Sequence, residues 1–199
     1  MIRRFRPHDL ADLRRVCLLT GENGGDATGR WSSDDLLADV FLEPYVTLEP
    51  DHAWVVEQDG RAVGYLVATL DTAAFVRRWR QSWTPEFAAR HGGRAADPAE
   101  QWLYDLATEP ERMLSSRVEE YPAHLHIDLL PEAQGSGNGR ALMRQLGLAA
   151  VEAGVPGIHL WVNRANAGAL AFYDRLGFRE LAVRGDTVQL GITSEHLGR

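Results

Sequence analysis

The sequence predicts an α/β or α+β fold built on a mixed sheet, and three stretches carry that reading. Ala53 to Gln58 and Ala62 to Leu70 are β-rich runs joined by Asp59-Gly60, a strong two-residue hairpin signal. From His124 onward the pattern runs strand, helix, strand and helix, which implies a parallel strand pair with a right-handed crossover. Leu181 to Val183 and Thr187 to Ile192 complete the chain as a terminal hairpin around Gly185-Asp186.

In chain order, Ile2 to Arg6 reads as a short strand. His8 to Leu19 repeats apolar residues at helical spacing (Leu10, Leu13, Val16, Cys17) behind Pro7, which suits a helix start. Gly21 to Gly29 is a glycine-rich loop, and Ser33 is placed to cap a second helix over Asp34 to Phe41. Residues 71–121 carry Trp79, Trp83 and Trp102 among helix formers, interrupted by Pro85, Gly92-Gly93 and Pro98. This stretch is too short to build an independent core comfortably, so it is expected as a helical insertion within one domain spanning 1–199, with its tryptophans in the core. The remaining elements are a strand at His124–Leu130, a helix at Gly137–Ala153, a strand at Ile158–Val162 and a helix at Asn166–Leu176.

Composition narrows the function classes. Hydrophobic residues make up 45% and charged residues 25%, an ordinary globular balance. The formal net charge of −7 argues against nucleic acid as the main partner and suits a cationic substrate such as an amine. A single cysteine, Cys17, excludes an intramolecular disulfide; inside an amphipathic helix it reads as packing rather than as a nucleophile. No apolar run approaches membrane-spanning length, and the first residues lack a signal-peptide pattern, so a cytoplasmic protein is expected. All 21 basic residues are arginine, so any lysine acetylation seen in an assay could not be self-modification.

The sharpest motif is Gln134-Gly135-Ser136-Gly137-Asn138-Gly139-Arg140, between a strand and a helix. Glycines let backbone amides approach a ligand, and a helix start adds unpaired N–H groups and a positive dipole end, a combination that binds phosphate. It is not a P-loop, which needs a lysine after its last glycine. Nor is it the dinucleotide fingerprint, whose third glycine would fall at Arg140. A tight structural turn is the alternative reading, weakened by the cost of three glycines within five residues.

Gln134-x-x-Gly137-x-Gly139 after a strand resembles the acetyl-CoA motif of the GNAT superfamily of N-acetyltransferases. Asn163, Asn166, Ala169, Phe172-Tyr173 and Leu176-Gly177-Phe178 resemble that superfamily's following helix. A further likeness covers Gly64-Tyr65, Thr69-Leu70-Asp71, Phe75, Ser82-Trp83, Tyr121-Pro122 and Ile127-Asp128. Those residues are similar to the acetyltransferase-like domain of eukaryotic O-GlcNAcases, regarded as a pseudo-acetyltransferase that lacks the pyrophosphate loop. The resemblance implies a mostly antiparallel central sheet flanked by helices and acetyl-CoA as co-substrate. It implies that pantetheine lies along Ile127–Leu130, with N–H groups near Leu129 on the thioester carbonyl. The amides of Gly135, Ser136, Gly137, Asn138, Gly139 and Arg140 would hold the pyrophosphate beside Gln134, and Asn166 would touch pantetheine or cap its helix.

The acceptor implied is a small-molecule primary amine or a protein lysine, which attacks the thioester directly, with neither nucleic acid nor membrane as partner. A homodimer is left open, and a catalytically weak acetyl-CoA-binding or protein-interaction module is the competing function. Tyr173 is the candidate acid for the leaving thiolate. His124, His126 and Asp128 alternate along one strand and so share a face, opposite Leu125, Ile127 and Leu129. Three ionisable groups on one face of a central strand are costly unless solvated or paired, which points to a cleft. Asp128 is the first choice of base, and His126, whose ordinary pKa suits the task, the second. The same trio could present metal ligands side by side, but acyl transfer from a thioester needs no metal and nothing completes a shell, so no metal is expected. Trp83 and Tyr121 are weaker candidates for the acceptor pocket. Glu22 and Asp26 could line it but fit a solvated loop, and Trp161 reads as packing where some superfamily members carry an acidic residue.

Overall fold

The computed structural model describes the whole chain, Met1–Arg199. Seven strands form one sheet: β1 (Ile2–Arg4), β2 (Ala53–Gln58), β3 (Arg61–Thr69), β4 (Ala123–Leu129), β5 (Gly157–Asn163), β6 (Arg179–Arg184) and β7 (Thr187–Thr193). Their order across the sheet is β1-β2-β3-β4-β5-β7-β6, antiparallel except for the parallel β4–β5 pair. The β2–β3 hairpin turns through Asp59 and Gly60, both at positive φ (52° and 79°). That is the conformation whose twist matches paired strands.

The helices are α1 (Leu10–Thr20), α2 (Leu36–Phe41), α3 (Glu43–Leu48), α4 (Thr72–Arg78), α5 (Thr84–His91), α6 (Gln101–Thr108), α7 (Asn138–Glu152), α8 (Ala167–Leu176) and α9 (Ser194–Gly198). Strand alternation sends the sheet's apolar side chains to two separate cores. On one face Val55, Tyr65 and Val67 pack with Leu13, Val16 and Cys17 of α1, with α2 and α3, and with the 71–121 helices. On the other, Leu66, Leu125, Ile158 and Leu190 pack with Leu142, Met143 and Leu146 of α7, and with Tyr173 and Phe178. None of these helices is long and apolar enough to cross a membrane.

The 71–121 stretch is helical as expected and shares its core with the sheet. A π-helical turn over Trp79–Trp83 joins α4 to α5 and lets both tryptophans face inward. The indole N–H of Trp79 donates to Ala107 O, and that of Trp83 to Asp39 O, both at 2.8 Å. Trp102 departs from the expectation. It is 45% exposed, on the rim, edge-on to Trp31 and tilted against Phe41 with ring centroids 6.0 and 6.1 Å away. Two short helices escaped the sequence reading: α3, which opens on Glu43-Pro44, and the five-residue α9.

Candidate active site

The site lies where β4 and β5 part. Although each strand is seven residues long, they pair only at Ala123 with Ile158 and at His124 with His159, then diverge. On its other edge β4 pairs along its length with β3, and the Leu130 N–H donates to Val63 O. Antiparallel alternation therefore turns the amides of His124, His126 and Asp128 toward β3 and those of Ile127 and Leu129 toward the opening. Gln134 Nε2 donates to Leu129 O at 2.8 Å, which anchors the following loop to this edge. Leu130 is a correction to the expected pantetheine contacts: it is buried, and its amide is committed to β3.

That loop enters α7 through Gly137, whose φ of 85° suits glycine at the helix cap. No protein acceptor takes any backbone N–H from Gly135 through Arg140; the first paired amide is Ala141, which donates to Gly137 O. Six consecutive free amides at the start of a fifteen-residue helix form an anion cradle. The Asn138 side chain donates to Ala133 O and to Ser136 Oγ, each at 2.9 Å, so it braces the cradle rather than reaching out of it. Gly139 is required for another reason. A Cβ there would sit 3.1 Å from the Phe172 ring, so the glycine lets α7 close onto α8. The donor set and the open space around Gly135 and Gly137 fit a pyrophosphate.

Asp128, half-buried on β4, stands directly opposite Tyr65 of β3, whose hydroxyl donates to Oδ2 at 2.6 Å. Oδ1 is not bonded by Tyr65 and reaches solvent. Burial raises the Asp128 pKa, and the hydroxyls of Tyr65 and Thr20 offset part of that rise. Tyr173 sits on α8 between Phe172 and Phe178, its hydroxyl also without a partner and open to solvent. Burial first, and the Asp128 charge second, push its pKa up. Asn166 caps α8, accepting from Ala169 N–H at 3.0 Å, with the Gly21–Gly29 loop close beside it at Gly24.

The three ionisable residues of β4 do share a face, but not a common fate. His124 is buried, with Nε2 2.8 Å from the Tyr45 hydroxyl and Nδ1 2.7 Å from Thr72 Oγ1. His126 is half-buried, with Nε2 3.1 Å from the same Tyr45 hydroxyl. Burial pushes its pKa down to about 4, which corrects the expectation of an untuned base. No group of three His, Cys, Asp or Glu side chains is arranged to hold a metal ion.

Both acceptor-pocket candidates are corrected as well. Trp83 is buried in the core with its indole N–H committed, so it has no surface to offer an acceptor. Tyr121 precedes the far end of β4, seven residues from Asp128, and lies under Gly157 and Gly191. The site residues that sequence patterns did not assign are Tyr65, bonded to Asp128, and Tyr45 and Phe41, packed against His126. Tyr65 carried a signal, since it sits in the hairpin strand next to Gly64, but its register against Asp128 is a long-range property. Cys17 is buried beside Tyr65 and Asp128, and burial lifts its thiol pKa to about 12, which makes it packing.

Residues 19–178 match the acetyltransferase (GNAT) family. The crystal structure of SsHAT superimposes with a TM-score of 0.91 at 41% identity, covering 98% of each chain. The PaiA N-acetyltransferase of Thermoplasma acidophilum, solved in complex with coenzyme A, gives a TM-score of 0.57 at 14% identity, over 97% of this chain and 98% of that one, a likeness of fold. Protein O-GlcNAcase of Rattus norvegicus is 24% identical over 186 residues, 91% of this chain, which spans a fifth (20%) of that relative. With most of its length inside the family match and its sheet parted beside a free-amide loop, the chain belongs to the GNAT acetyltransferase family.

Proposed function

We propose that this protein transfers the acetyl group of acetyl-CoA to a primary amine by direct attack, within a single domain that includes the 71–121 helices. The observation that carries the reading is the run of six free amides at Gly135–Arg140, opening beside the free edge of β4 and the solvent-facing oxygen of Asp128.

Acetyl-CoA supplies a thioester carbonyl open to attack by a deprotonated amine. The Gly135–Arg140 amides hold the pyrophosphate, with the Arg140 cation in the first turn and Gln134 fixing the loop to β4. Asn166, its Oδ1 engaged as a cap, has its side-chain N–H groups left for the pantetheine arm. Asp128 takes the ammonium proton through Oδ1; its raised pKa makes it a better base than an exposed carboxylate. Ile127 and Leu129 direct backbone N–H groups into the opening, where they stabilise the carbonyl oxygen as it gains charge. Tyr173 donates a hydrogen bond to the departing sulfur. With its pKa raised, full proton transfer from the phenol to a thiolate is uphill, so stabilisation is its role, and the departing thiolate takes up the second proton, which the amine nitrogen of the tetrahedral intermediate releases. Neutral at pH 7, His126 accepts a hydrogen bond instead of a proton.

The net charge of −7 favours a cationic acceptor. Release of free coenzyme A thiol, followed across a panel of small amines and lysine peptides, tests the reading. Amine-dependent release above the hydrolysis rate is expected. Saturable acetyl-CoA binding with no release by any amine would make the chain a cofactor-binding module instead.

A further inference from the structure

A line of polar groups crosses the core behind the site: Pro122 O, Thr72, His124, Tyr45 and His126. Its direction follows from its ends. Thr72 Oγ1 lies 2.6 Å from Pro122 O. A carbonyl only accepts, and two oxygens that close repel without a hydrogen between them, so the Thr72 hydroxyl donates to Pro122. With its one proton spent, Thr72 Oγ1 accepts from His124, which therefore carries its proton on Nδ1. The bare Nε2 of His124 then takes the Tyr45 proton at 2.8 Å. Met113 Sδ, at 3.9 Å, is a weaker alternative for that proton. The Tyr45 oxygen is left as an acceptor, and its neighbour at 3.1 Å, His126 Nε2, must supply the hydrogen. Phe41 and Tyr45 hold the His126 ring edge-on, with centroids 5.3 and 5.1 Å away. Its Nδ1 makes no hydrogen bond and reaches solvent on the face it shares with Asp128, about 7 Å along the strand.

We propose that Thr72, His124 and Tyr45 are positioning residues that lock His126 in its Nε2–H tautomer, so that Nδ1 offers the incoming amine a hydrogen-bond acceptor beside Asp128. This rests on the acetyl-transfer reading of the same site. The opposite tautomer would aim an N–H at the ammonium and repel it, so the relay selects acceptors that bring N–H donors. No relay residue except His126 touches the substrate.

Two-bond 1H–15N correlation spectra of the histidine rings test this on resting protein at pH 7, with signals assigned by loss in His126→Gln and His124→Gln. Wild type is expected to show His126 as Nε2–H. Thr72→Val removes the acceptor for His124 Nδ1–H while keeping its shape. The relay should then reverse, converting His126 toward Nδ1–H although residue 72 does not hydrogen-bond it. Thr72→Ser should restore the wild-type spectrum. In the assay, Thr72→Val should raise the KM for the amine by about tenfold, the size of one exchanged hydrogen bond, and leave that for acetyl-CoA unchanged. A wild-type His126 in the Nδ1–H form, or an Nε2–H form untouched by Thr72→Val, overturns the relay. Because the spectra need no turnover, a failure of amine acetylation would strike the function proposed above and not the tautomer assignment.

Discussion

Asp128 combines burial, which raises its pKa, with the Tyr65 and Thr20 hydroxyls, which lower it, while Oδ1 reaches solvent. Two predictions follow from that balance. Asp128→Asn should lower kcat about 10²- to 10⁴-fold, the range of a lost general base, with acetyl-CoA affinity unchanged in equilibrium titration. Tyr65→Phe removes the interaction that lowers the Asp128 pKa, so the acid limb of the kcat/KM profile should move to higher pH. An unmoved limb would take the role of base away from Asp128. Asp128 was legible in the sequence because alternation put it on a crowded polar face. The loss of basicity at His126 was not, since it arises from Phe41 and Tyr45, which arrive from helices far away in sequence. Trp83 misled for the same reason: its partner, the Asp39 carbonyl, is 44 residues distant.

Among the elements, those with strong local signals were readable. The Asp59-Gly60 turn, the loop into α7 and the Asn166 start of α8 are written in residues whose backbone needs or capping chemistry leave few alternatives. Helices α3 and α9, six and five residues long, hold too few turns for periodicity to show, and packing rather than propensity maintains them. The parting of β4 and β5 was equally hidden, because strand patterns specify faces but not where a pair separates. Asn166 makes a quantitative check at this scale. Asn166→Ala should cost about 1 kcal/mol in denaturant unfolding through the lost cap. It should also weaken acetyl-CoA binding if the amide reaches pantetheine.

The molecule as a whole buries His124 and His159 and half-buries His126, and that burial pushes all three pKa values down. Below the ordinary value near 6.5, the unfolded chain binds protons that the folded chain refuses, so stability is complete above that pH and falls as pH drops toward 4. Asp128, with its pKa raised, contributes with the opposite sign. The midpoint of thermal unfolding should therefore fall between pH 7 and pH 5, and fall less steeply in His126→Gln; equal slopes would contradict the assignment. Two cores lie back to back across one sheet, the 71–121 helices packed into one and α7 into the other.

If the Gly135–Arg140 amides hold the pyrophosphate of acetyl-CoA, a negative charge set among them should expel it. Calorimetric titration with acetyl-CoA, run on wild type, Gly137→Gln and the isosteric Gly137→Glu, tests it most directly because the two variants differ only in charge. Saturable one-to-one binding is expected for wild type, reduced in Gly137→Gln and lost in Gly137→Glu. Absence of binding by wild type, or equal affinity in the two variants, would leave the loop as a structural turn with no hold on pyrophosphate.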